Sequence, residues 1–155
     1  MSDRLDQLLR DDARVALDDA GFSARVMRAL PPSAAKAQAW SPENIPWQKI
    51  DTDGSKYAVL EGDRNAPGSF SYAVFLPAGV YEHHWHSGDA RVFIVKGALR
   101  VGFSETFDKS VMKSYPAGSF VFVPANAKHT MGADEDTLFF GTGIGPWATH
   151  EHPHH

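Results

Sequence analysis

Apolar residues recur at helical intervals in the first thirty positions. Leu5, Leu8, Leu9, Ala13, Ala16 and Leu17 form one stripe, and Phe22, Val26, Met27 and Leu30 repeat it after Gly21. The spacing predicts two short amphipathic helices between Asp3 and Leu30. Pro31-Pro32 ends the second, because proline has no amide hydrogen and drives the residue before it out of helical geometry. Residues 31–46 read as a weakly structured linker. From Trp47 onward the period shortens. Eight β-rich runs follow, KYAVLEG, SFSYAVFL, VYEHHWH, ARVFIVKG, ALRVGF, SFVFVP, KHTM and TLFFGTG, separated by Gly, Pro, Asp and Asn. With no helical pattern between them, they predict an antiparallel sandwich or barrel and exclude a parallel α/β fold. SYAVFL and SFVFV are apolar on both faces, so their outer sides need a cover, either the N-terminal helices or a second subunit of a homodimer. The expected layout is a helical extension and linker over 1–44, a barrel over 45–148 and a flexible His-rich tail over 149–155.

A chain of 155 residues suits one domain, which at that size buries ~70% of its unfolded surface around a single core. The formal net charge of -4, with no basic stripe, makes nucleic acid a poor partner. No run of about 18 apolar residues occurs, and the first residues lack the layout of a signal peptide, so the expectation is a cytoplasmic protein with no membrane partner. The chain has no cysteine. Disulfides, Cys-bound zinc, iron–sulfur clusters and thiol nucleophiles are thereby excluded, and any metal must be held by His, Asp or Glu. There is no G-x-S-x-G elbow and no phosphate-binding glycine loop.

Histidine is the residue type that stands out. Four of the eight lie in the last six residues, where H-x-H spacing carries little information. The others are more telling. In VYEHHWH, strand alternation puts Glu82, His84 and His86 on one face and Tyr81, His83 and Trp85 on the other. Two imidazoles whose Cα atoms are ~7 Å apart can reach one metal at ~2.0–2.1 Å. A third ligand must come from elsewhere, and His129 is the candidate, near the start of the strand that follows the Pro124–Asn126 turn.

Residues 79–141 resemble the two signature motifs of the cupin superfamily of metal-binding jelly-roll barrels. Gly79, His84, His86 and Gly97 match the first motif; Gly118, Pro124 and His129 match the second. The resemblance covers about residues 45–148 and implies an all-β, cupin-type antiparallel jelly-roll β-barrel behind a short N-terminal α-helical extension. It departs from the family pattern at Ala90, which stands where a glutamate ligand is usual, and at Asn126 and Ala133, where glycine and asparagine are common.

Three readings are open. His84, His86 and His129 hold a divalent metal as a neutral three-histidine face, with Fe(II) favoured and Zn, Ni or Mn as alternatives. Glu82 supplies the missing carboxylate as a fourth ligand. Or the metal is gone and the barrel binds a ligand only. Asp89 and Arg91 flank Ala90 and are expected to face outward, with Asp89 as a turn residue. Tyr72, Phe120, Phe122, Thr130 and Phe140 are the candidate substrate-pocket residues, and Trp147 is a further aromatic expected to pack the core or line the cavity, a wall suited to a small apolar or aromatic molecule. The resemblance implies metal-dependent, dioxygenase-like oxidation of a small organic molecule. The alternative function is a non-enzymatic small-ligand binding, sensor or regulatory module.

Overall fold

Period-two alternation survives intact in the structure. In β5 (Ala90–Lys96), Ala90, Val92 and Ile94 are buried while Arg91 and Phe93 are exposed; in β8 (Phe120–Val123), Val121 and Val123 are buried while Phe120 and Phe122 are exposed. The computed structural model describes residues 36–151, so the helices expected between Asp3 and Leu30 and the end of the tail lie outside the described residues.

The remaining strands are β1 (Lys49–Ile50), β2 (Lys56–Glu61), β3 (Gly68–Leu76), β4 (Tyr81–His86), β6 (Ala98–Phe103), β7 (Lys113–Pro116), β9 (His129–Gly132), β10 (Thr137–Gly145) and β11 (Thr149–Glu151). Every β-rich run of the sequence is one of these strands. The pattern does not reveal β1, β7 and β11, which are four residues or fewer and largely exposed. Residues 149–151, expected to open a flexible tail, instead pair with β4, Thr149 opposite His86 and Glu151 opposite His84. His150 stacks on Trp85, which holds this edge strand in place.

All pairings are antiparallel. They build a six-stranded sheet in the order β1-β2-β3-β10-β5-β8 and a five-stranded sheet in the order β11-β4-β9-β6-β7. The main core includes Phe70, Leu76, Ile94, Leu99, Val121 and Phe139. Gly141 on β10 makes room for this packing, since a Cβ there would sit 2.2 Å from Cζ of Tyr72. Gly97 joins β5 to β6 in the left-handed region at φ 74°, where side chains other than glycine are strained.

Part of the outer cover comes from the chain itself. Ile45 packs with Ala58, Ala73 and Leu138, and Trp47, Val95 and Phe140 lie against that cluster. Phe93 and Phe120, which face each other across β5 and β8, are left exposed. Among the described residues no helix is long and apolar enough to cross a membrane.

Candidate metal centre

The register of β4 against β9 creates the site. His84 lies directly opposite His129, and His86 follows two positions along the same face of β4. The turn between β8 and β9 fixes this register. Asn126 takes a left-handed φ of 62°, a conformation asparagine tolerates better than most residues, and its amide donates to the carbonyl oxygen of His86 at 2.7 Å. The three rings converge, with centroids 4.8 Å apart for His84 and His86, 4.5 Å for His84 and His129, and 5.0 Å for His86 and His129.

All three histidines are buried, and their candidate ligand atoms lie within 4.8 Å of one another. His129 Nδ1 donates to the Ala127 carbonyl oxygen at 2.9 Å, which leaves Nε2 with its lone pair. That Nε2, with Nδ1 of His84 and Nδ1 of His86, is buried with no hydrogen-bond partner. Burial first, then the neighbouring His129 and His86, pushes His84 down to about 2. Burial, then His129 and Arg64, pushes His86 down to about 3. His129 is lowered too, chiefly by burial, with its bond to Ala127 working the other way. The imidazoles are therefore neutral at physiological pH, the state in which they can donate to a metal.

Glu82 lines the same cavity with its carboxylate 3.6 Å from Nδ1 of His84. Burial, then Glu151 and Asp53, holds its carboxyl above the usual range. Ala90 is fully buried and contributes only a methyl group to the core. Asp89 turns away and accepts from the Ala125 amide at 2.9 Å. His83 faces the opposite side from His84 and its ring meets the Ser104 carbonyl oxygen at 3.1 Å.

A cavity of about 220 Å³ opens over the three rings. Of the five candidate pocket residues only Tyr72 lines it. Phe120 and Phe122 point outward because the inward positions of β8 fall on Val121 and Val123. Phe140 belongs to the outer cluster because Phe139 takes the inward position on β10. Thr130 is buried but lies opposite His83, on the far face of its sheet.

Two lining residues carried no site signal in the sequence, Tyr57 and Arg64, whereas Trp147, one of the aromatics expected in the core or on the cavity wall, lines it. Trp147 stacks on His86 at 4.3 Å and donates from Nε1 to the Gly88 carbonyl oxygen at 3.0 Å. Its place depends on the loop after β10 meeting the turn after β2, where its amide donates to the Arg64 carbonyl oxygen at 2.8 Å. No local pattern announces a contact over such a sequence distance.

Two antiparallel sheets closed around an inward-facing histidine trio define a cupin barrel. Solved structures with the same fold include a putative acetylacetone dioxygenase from Methylibium petroleiphilum PM1, with TM-score 0.57, 20% identity and coverage of 79% of this chain and 86% of that one. An acetylacetone dioxygenase from Acinetobacter johnsonii aligns with TM-score 0.56 and 19% identity over 76% of this chain and 79% of that one. KdgF from Halomonas sp. aligns with TM-score 0.54 and 17% identity over 69% and 94%. No curated protein matches the sequence. The model of the ChrR cupin-like domain matches residues 35–148, and the chain belongs to that family of the cupin superfamily.

Proposed function

We propose that His84, His86 and His129 hold one divalent metal ion, Fe(II) in preference to Zn, Ni or Mn, for oxygen-dependent oxidation of a small organic molecule. The observation that carries this reading is the trio of buried imidazoles, each with a ring nitrogen that no protein atom satisfies. A buried polar atom left without a partner costs ~1–3 kcal/mol, and one ion shared by all three would remove that cost. Once bound, such an ion supplies Lewis acidity and open positions for substrate and oxygen.

The remaining work falls to the chain's own residues. The low proton affinity of the buried rings keeps them available as neutral donors. Tyr72, Phe139 and Trp147 give the cavity an apolar wall that excludes bulk water and favours a small organic guest. Glu82 stands beside His84, where its carboxyl can orient the ring or take a proton from a guest. The fold shared with acetylacetone dioxygenases supports oxygen chemistry as the first class to assay.

The test is elemental analysis of the full chain with His152, His154 and His155 changed to serine, beside the same protein carrying His84→Ala or His129→Ala. About one metal per chain is expected in the parent, with loss in both variants. Metal content that is low in the parent or unchanged in the variants refutes the site. Iron-loaded protein should consume oxygen with a diketone, thiol or phenol; stoichiometric metal without oxygen uptake refutes the oxygenase reading and leaves ligand binding.

A further inference from the structure

We infer that Arg64 and the Tyr57 hydroxyl form a carboxylate-recognition pair in the cavity wall, so that the molecule bound beside the histidines is a small organic monocarboxylate. The inference deepens the proposed function by naming a substrate class, and it shares that cavity.

Arg64 sits in the turn after β2, outside any strand, yet its guanidinium is held from several sides. It lies 5.4 Å from the ring centroid of Tyr57 and 5.1 Å from that of Trp147. Its Nε donates to the Trp147 carbonyl oxygen at 3.3 Å, and the Trp147 amide donates back to the Arg64 carbonyl oxygen at 2.8 Å. The fork is thus oriented before any ligand arrives, which lowers the ordering cost of binding. No carboxylate pairs with Arg64 among the described residues, so its charge has no counter-ion there, and its guanidinium lies close to the Tyr57 side chain. Beside it, the Tyr57 hydroxyl is buried with no hydrogen-bond partner. Two planar N–H donors and an adjacent O–H suit the two oxygens of a carboxylate.

The other charges on the lining narrow the choice. Lys49 is paired with Asp51 at 3.0 Å, and Lys56 lies over the rings of Trp47 and Phe75 at 6.0 and 5.2 Å. Glu82 and Glu151 also line the cavity. They would repel a second anionic group, which favours a single negative charge on the guest. Arg64 reaches the histidines through one intermediary: Trp147, whose ring it overlies, stacks on His86.

The test is calorimetric titration of the full chain, metal-free and zinc-loaded, with pyruvate, benzoate and salicylate against their neutral counterparts butane-2,3-dione, benzamide and salicylamide. At least one acid should bind saturably and on the order of tenfold tighter than its neutral partner. Arg64→Met should weaken that acid by about 10- to 100-fold and leave the neutral compound unchanged. Arg64→Lys should recover part of the loss. Tyr57→Phe keeps the ring stack and should cost a few-fold. Absence of saturable binding by any of the acids at millimolar concentration overturns the inference. So does unchanged affinity in Arg64→Met or, if that variant does not fold, in both Arg64→Lys and Tyr57→Phe. Metal content of the same samples separates the two readings. Arg64-dependent acid binding by protein that retains no zinc after loading refutes the metal site and leaves the carboxylate pair standing; stoichiometric zinc with acid affinity indifferent to Arg64 does the reverse.

Discussion

Protonation should unfold the metal-free protein through two buried histidines. In the folded chain His84 is pushed down to about 2 and His86 to about 3, chiefly by burial, from an ordinary value of 6.5. Between those values and 6.5 the unfolded chain holds more protons at these positions than the folded chain, so the unfolding free energy falls as pH is lowered. At about pH 4.5 the pair has forfeited on the order of 5 kcal/mol. A domain of this size has only ~5–15 kcal/mol in all. His129, also lowered, acts in the same direction. Glu82, whose carboxyl is raised by burial, acts in the opposite one near its own range. The assay is urea unfolding of the full chain with a chelator present, followed by circular dichroism at pH 7 and about pH 4.5. The parent should lose several kcal/mol, and the His84→Gln, His86→Gln double variant should lose much less. A parent whose stability changes by less than ~1 kcal/mol over that range, or a double variant with the same pH slope, refutes the reasoning.

Other perturbations test the packing and the register. Gly97→Ala should destabilise by about 2–4 kcal/mol in a denaturant titration, because the backbone is left-handed there and the new Cβ would meet the Asp136 carbonyl oxygen at 2.5 Å. Phe139→Ala empties an inward position and should cost about 3–5 kcal/mol. Phe122→Ser, on the outer face, should stay within ~1 kcal/mol in the same assay; equal costs would contradict the strand facing described here. Truncation after Trp147 removes β11 and its pairing with β4 and should lower the thermal midpoint by several degrees.

The sequence was most readable where a local rule decides the outcome. Alternation in ARVFIVK and VYEHHWH located strands and placed His84 and His86 on one face, since period two is a property of the backbone itself. Asp89 was also read as a turn residue directed away from the histidines, as its bond to the Ala125 amide places it. What failed depended on choosing between two apolar faces. SFVFV and TLFFGTG offer aromatic or aliphatic side chains in both directions, and an aromatic cavity wall was expected from Phe120, Phe122 and Phe140. The barrel instead takes the smaller Val121 and Val123 inward from β8, and Phe139 from β10. Register was the other gap. That His129 sits opposite His84, and Thr130 opposite His83, follows from pairing between β4 and β9, which no single strand encodes. Arg64 was hidden for the same reason, as it owes its place to a contact between two turns, one of them carrying Trp147.

The indole face of Trp147 against the His86 ring also gives the molecule an internal optical gauge. Buried indole emission is quenched by a nearby open-shell ion, so filling or emptying the centre should register in the protein's own fluorescence. Of the four tryptophans Trp147 is the one that lines the histidine cavity, so the metal-dependent part of the signal would come chiefly from there, without an attached dye.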